Sequence, residues 1–260
     1  MRFVLVVALL LAAVGGAAVG GPAVGGPATA AVPPWFPTRL GHLGDSRQVV
    51  VVAGHSRTST SSTAYAYQRG TDGRWRAAFP AMAARNGYGG WQWASRRVQG
   101  TGTTPIGTFT ITEAFGLAAD PGTRLDYRRV DGNDHWVGDR SDPRTYNMFQ
   151  PSLSPRRTWR TSRAERLADY PRQYAYAAVV DFNRPAPGSV SWNTALGQYV
   201  TSAPAVAGRG SAIFLHVHGR GSTAGCVSLS RTQMVAVLRW LDPALRPRIV
   251  LAPIADLPRA

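Results

Sequence analysis

The 260-residue chain has no lysine, only two glutamates (Glu113 and Glu165) and a single cysteine, Cys226. Each shortage excludes something. Without lysine there is no Walker-type phosphate lysine, no Schiff-base lysine and no Ser-Lys dyad. With one cysteine there is no intrachain disulfide, so the thiol needs another explanation in a chain with an export-type leader. Beyond residues 3–14 no apolar run approaches the roughly 20 residues that a membrane-spanning helix needs.

All 29 basic residues are arginine, against 14 acidic residues, and the formal net charge is +15. Outside a cell such a chain is drawn to polyanions, among them anionic wall polymers. The arginines are scattered and no nucleic-acid motif appears, so nucleic acid is not an expected partner. Met1-Arg2 followed by the apolar run Phe3–Val14 has the form of a secretory signal, and Ala28-Thr29-Ala30 fits the small-residue cleavage rule. Residues 1–30 are therefore expected as a signal peptide, with an uncleaved anchor as the alternative. Residues 31–46, with Pro33, Pro34 and Pro37, read as a linker, and 47–253 as one domain of a secreted protein.

Within that domain the periodicity is mostly that of strands. Gln48–Ala53 is a continuous apolar run; Ala64–Arg69 alternates and turns at Thr71-Asp-Gly73 into Arg74–Phe79, which predicts an antiparallel pair. Gly107–Glu113, Tyr174–Phe182, Ser211–Val217 and Arg248–Ala252 are further expected strands, the last closing the sheet. Two helix starts are expected. Ser162-Arg-Ala-Glu165 reads as a capping box, as does Ser230-Arg-Thr-Gln233, which precedes the stripe Met234, Val237, Leu238 and Leu241. The fold class is mainly β with two or three helices.

The chemistry concentrates at one place. Strand alternation puts Phe214, His216 and His218 on one face, and a glycine-bearing loop leads from there to Thr223-Ala224-Gly225-Cys226. A thiol beside an imidazole is a nucleophile with its base, and Gly225 would let a carbonyl approach the backbone. The amides of Ala224, Gly225 and Cys226 are candidate oxyanion donors. Three other readings compete. Cys226 could be a small buried hydrophobe, His216, His218 and Cys226 could be metal ligands, or the protein could bind cell wall without catalysis. The favoured reading needs neither metal nor cofactor. Asp134, Asp139 and Asp142 sit among turn residues and are read as turn formers.

The segment Ser211–Leu229 resembles the active-site stretch of the L,D-transpeptidase (YkuD-type) family of exported bacterial enzymes, actinobacterial members included. A strand ending in His216 is followed by a loop ending in Thr223, Gly225, Cys226 and Val227. Gly102-Thr-Thr104-Pro105-Ile-Gly107 is similar to the family's entry into a strand, and Trp136–Asn147 to a substrate-side stretch. The chain departs from the family's usual Ser-His-Gly-Cys by having Ala224 at the second histidine and Ser228 where Arg or Asn is common. The resemblance implies a β-sandwich or barrel acting on peptidoglycan stem peptides as a monomer. Cys226 would form a thioester with loss of D-Ala, and His216 would take the thiol proton and later activate an incoming amine. An amine acceptor gives a 3→3 cross-link and water gives carboxypeptidation. His218, Thr223, Ala224, Thr104 and Gly107 are the implied substrate-side residues, with His218 the second choice of base.

Overall fold

Gln48–Gly54 is buried at all seven positions, as an apolar, β-branched run must be when both of its faces are covered. In the computed structural model, which describes residues 33–260 apart from Ser152, this strand lies near the centre of a twelve-stranded sheet. The leader expected over 1–30 lies outside the described residues. Among those described, no helix is long and apolar enough to cross a membrane.

Gln48–Gly54 pairs antiparallel with Ser61–Arg69 on one side and parallel with Arg248–Pro253 on the other. The last long strand therefore does not close the sheet at its margin; it is an interior strand, itself paired with Thr104–Thr110. Beyond Ser61–Arg69 the order continues through Met82–Arg85, Val227–Leu229, Phe214–Val217, Ala177–Val179, Glu113–Gly116 and Asp126–Arg129. The expected hairpin is present, with Tyr67 opposite Ala77. A three-stranded sheet (Phe149–Gln150, His135–Val137 and Ala164–Arg166) and a two-stranded one (Val190–Asn193 with Gln198–Thr201) complete the β structure. The predominance of β with few helices agrees with the expected class.

Among the described residues one α-helix forms, Arg231–Trp240. Its capping box is as predicted: Ser230 accepts from the Gln233 amide, and the Gln233 side chain accepts from the Ser230 amide. Met234, Val237, Leu238 and Leu241 are fully buried, each worth about 1.5–3 kcal/mol of apolar burial.

The helix expected after Ser162 does not form. Thr161–Arg163 is a 3-10 turn, Ala164–Arg166 a strand, and Leu167–Asp169 another 3-10 turn. Leu167 alone supplies an apolar anchor after the box, so no helical stripe competes with pairing to His135–Val137. The register sets Glu165 opposite Trp136. The run Tyr174–Phe182 also divides, into a 3-10 turn at Gln173–Ala175 and the strand Ala177–Val179.

Alternation along Phe214–Val217 sorts the core in two. Leu215 and Val217 join the larger cluster with Val49–Val52 and the helix. Phe214 joins a smaller one with Phe115, Trp136, Tyr174, Val179 and Cys226. Residues 33–46 pack on the domain: Trp35 stacks on Tyr65 with centroids 4.9 Å apart, and Phe36 meets Tyr67 edge-on at 5.2 Å.

Candidate active site

The smaller cluster opens into a cavity of about 590 Å³ whose walls include Cys226, His216, Glu165, Tyr174 and Trp136. Thr223 and Ala224 also line it; His218, Thr104 and Gly107 do not.

Cys226 follows a loop tied down at its base. The Thr223 amide donates to the Asn86 carbonyl at 2.9 Å, and the Tyr88 amide donates to the Thr223 carbonyl at 2.8 Å. The Thr223 hydroxyl donates to the Cys226 carbonyl at 2.6 Å and accepts from the Gly225 amide at 3.1 Å. That last bond corrects the expectation that Gly225 offers its amide to an oxyanion, because the amide is already occupied. What Gly225 supplies is backbone freedom and space. Its φ is +132°, and a Cβ there would stand 2.7 Å from Arg97 Nη2 and 2.8 Å from the Thr103 carbonyl.

Cys226 as a residue is 8% exposed. It donates to the Ala212 carbonyl at 3.2 Å and accepts from the Phe214 amide at 3.4 Å. Burial, with the Glu165 carboxyl adding to it, pushes the thiol up to about 12. At neutral pH Cys226 is therefore a protonated thiol.

His216 is the imidazole on the cavity wall. Its Nδ1 lies 2.8 Å from the Val217 carbonyl, which can only accept, so Nδ1 carries the proton and Nε2 a lone pair. Tyr174 meets the ring edge-on at 5.6 Å. Burial pushes the imidazole down to about 4, so it is neutral at pH 7 with its Nε2 lone pair unprotonated. His218 does not share this position: it lies beyond the strand, and its Nδ1 pairs with the Ser228 hydroxyl at 2.9 Å. No group of three His, Cys, Asp or Glu residues suited to hold a metal occurs among the described residues.

Thr104 and Gly107, expected beside the peptide, act at one remove. Thr104 is fully buried, and its hydroxyl accepts from the Gly87 amide at 2.8 Å, bracing the segment on which the Thr223 loop rests. Gly107 is a sheet position opposite Leu251. The turn reading of the aspartates holds: Asp139 accepts from the amide and hydroxyl of Ser141. Arg160 also pairs with it at 2.6 Å and holds its carboxyl well below the usual carboxylate range.

Two site residues, Arg97 and Glu165, carried no local signal in the sequence. Arg97 is buried, with Nε on the Thr103 carbonyl at 2.7 Å and Nη1 on the Arg209 carbonyl at 3.2 Å, beside Gly225. Burial lowers its pKa, and the nearby Cys226 sulfur acts in the opposite sense. Glu165 receives the Tyr174 hydroxyl hydrogen bond, and burial raises its carboxyl to about 7. Only its rarity in this chain set Glu165 apart, and the apparent capping box pointed elsewhere.

A predominantly β domain with one thiol, one buried imidazole and one carboxyl on the wall of a single cavity is built as a catalytic domain. Residues 48–250 match the model of the YkuD family, the L,D-transpeptidase catalytic domain, and the chain belongs to that family. No curated protein and no solved structure gives a match.

Proposed function

We propose that the protein is an exported cysteine acyltransferase of peptidoglycan stem peptides, working through a thioester on Cys226. The observation that carries this reading is that the chain's only thiol and a neutral, correctly tautomerised imidazole line the same cavity. Membership of the family supports the substrate class, and the leader-like N-terminus supports export to the wall.

In this reading Cys226 Sγ attacks the carbonyl between the L-centre of a diamino acid and the terminal D-Ala. As the C–S bond forms, the thiol proton passes to His216 Nε2 and from there to the leaving amine of D-Ala. The thioester is then resolved by an amine, giving a 3→3 cross-link, or by water, giving a shortened stem. Because thiol and imidazole are each neutral at rest, proton transfer accompanies attack rather than preceding it.

A second reading, a wall-binding protein that has kept the fold without catalysis, is favoured by the low exposure of Cys226 and its raised pKa. Intact-mass measurement after exposure to a carbapenem and to a disaccharide tetrapeptide separates the two. Acylation that disappears in Cys226→Ala is expected. Sacculus binding by a protein that acquires no adduct would leave only the wall-binding reading.

A further inference from the structure

The chain carries 29 arginines and two glutamates, yet Glu165 forms no ion pair among the described residues. Arg166, next to it, is directed elsewhere, with Nε on the Gly132 carbonyl at 2.7 Å and Nη1 on Asp169 at 3.1 Å. Glu165 is the only carboxylate on the cavity wall that holds Cys226. The Tyr174 hydroxyl donates to Oε1, and Oε2 accepts no hydrogen bond from the described residues. Tyr170, Tyr174 and Cys226 bear on the carboxyl, and Arg163 and Arg220, the two arginines on the same cavity wall, form no ion pair with it. A crowded carboxylate with a free oxygen and no ion-pair partner is a place for a cation brought by a ligand.

Resting on the acyl-transfer reading above, we propose that Glu165, steadied by Tyr174, is the subsite for the ammonium group of the acceptor and takes its proton before it attacks the Cys226 thioester. An ammonium cannot attack, because its lone pair holds the proton. The buried His216, pushed down to about 4, is a poor acceptor for that proton, whereas the Glu165 carboxyl near 7 is a better one.

The step balances as follows. R–NH3⁺ gives one proton to the Glu165 carboxylate. The freed lone pair forms the C–N bond at the thioester carbon, and the C–S bond breaks with its electron pair on Sγ. A second amine proton reaches Sγ by way of His216. Amide, neutral Cys226 thiol and protonated Glu165 result, and the Glu165 proton then leaves to solvent.

The test compares wild type with Glu165→Gln after both have been acylated by the disaccharide tetrapeptide. The same tetrapeptide, with its side-chain ammonium, and hydroxylamine, neutral at pH 7, serve as rival acceptors. Loss of one charge-assisted hydrogen bond corresponds to roughly ten- to a hundred-fold. Dimer formation is expected to fall by at least that lower factor relative to hydroxamate formation, with partial recovery in Glu165→Asp. Independently of folding of the variants, a trimethylammonium analogue of the acceptor should inhibit dimer formation by wild type, and an N-acetylated analogue should not. Equal losses for both acceptors, equal inhibition by both analogues, or a wild type that is acylated but forms no dimer would each overturn the subsite. A wild type that is never acylated at Cys226 removes the acyl-transfer reading itself and the subsite with it.

Discussion

The Cys226 thiol donates its hydrogen to the carbonyl oxygen of Ala212, 3.2 Å away, and Ala212 is itself held in the left-handed region at φ +55°. A non-glycine residue is kept there only by its surroundings. Here they include Asn147, whose Oδ1 accepts from the Ala212 amide at 3.0 Å. The nucleophile is thus parked on a backbone carbonyl whose position is set by a residue far away in the sequence.

The parked thiol should be sluggish in the free protein. A group pushed up to about 12 is ionised at pH 7 on the order of a thousand times less than an ordinary cysteine. Alkylation of Cys226 by iodoacetamide should therefore be slow and should keep rising through pH 10. A rate that levels off near the pKa of a free thiol contradicts this description.

Asn147 should matter more to stability than its size suggests. It accepts from Ala212 and from Trp136 Nε1 at 2.9 Å, and its Nδ2 donates to the carbonyls of Phe182 and Asn183 at 3.0 and 2.6 Å. Its own φ is +58°, which asparagine tolerates and most residues do not. Asn147→Ala should lose about 3 kcal/mol in urea denaturation at constant slope and should speed alkylation of Cys226. A loss under about 1 kcal/mol would mean that the neighbours relax around the gap.

One half-buried and one buried group, Glu165 and His216, should give opposing pH dependences. Glu165 rises from 4.5 to about 7 on folding, so the folded state holds an extra proton between those values and its contribution to stability is lost as pH rises through them. His216 falls from 6.5 to about 4, so its contribution is full above 6.5 and is lost as pH falls towards 4. Tyr170, Tyr174 and Cys226 act on the first group and His218 on the second. Between pH 4.5 and 6.5 the two slopes cancel. Removing the first by Glu165→Gln should make stability climb with pH relative to wild type, by up to on the order of 3 kcal/mol between pH 4.5 and 7. Melting curves of the two proteins that shift in parallel across this range would refute the assignment.

The helix cap offers a change remote from the cavity. Ser230→Ala removes the acceptor of the Gln233 amide and should lower stability by about 1 kcal/mol. Thermal denaturation measures the loss, and acylation of Cys226 should proceed as in wild type. A much larger loss would show that Ser230 has a role in the core beyond capping.

Much of this was legible in the residues themselves. Val49–Val52 is apolar at every position, and such a run has few structural outcomes. The Ser230–Gln233 box was followed by a full helical stripe, and the box at Ser162 was not; that difference separates the capping signal that became a helix from the one that became a strand. His216 and Cys226 were readable because loop and strand are adjacent in the chain. Glu165, Arg97 and Asn147 reach the site only through tertiary pairing, with Glu165 set by its register against Trp136. Local patterning carries no record of such partners.

The parallel pairing of Val49 with Arg248 has a consequence for biogenesis. A central ladder of the sheet joins segments about two hundred residues apart, so it cannot zip up until Arg248–Pro253 has been synthesised, and its closure carries the loop entropy of everything between.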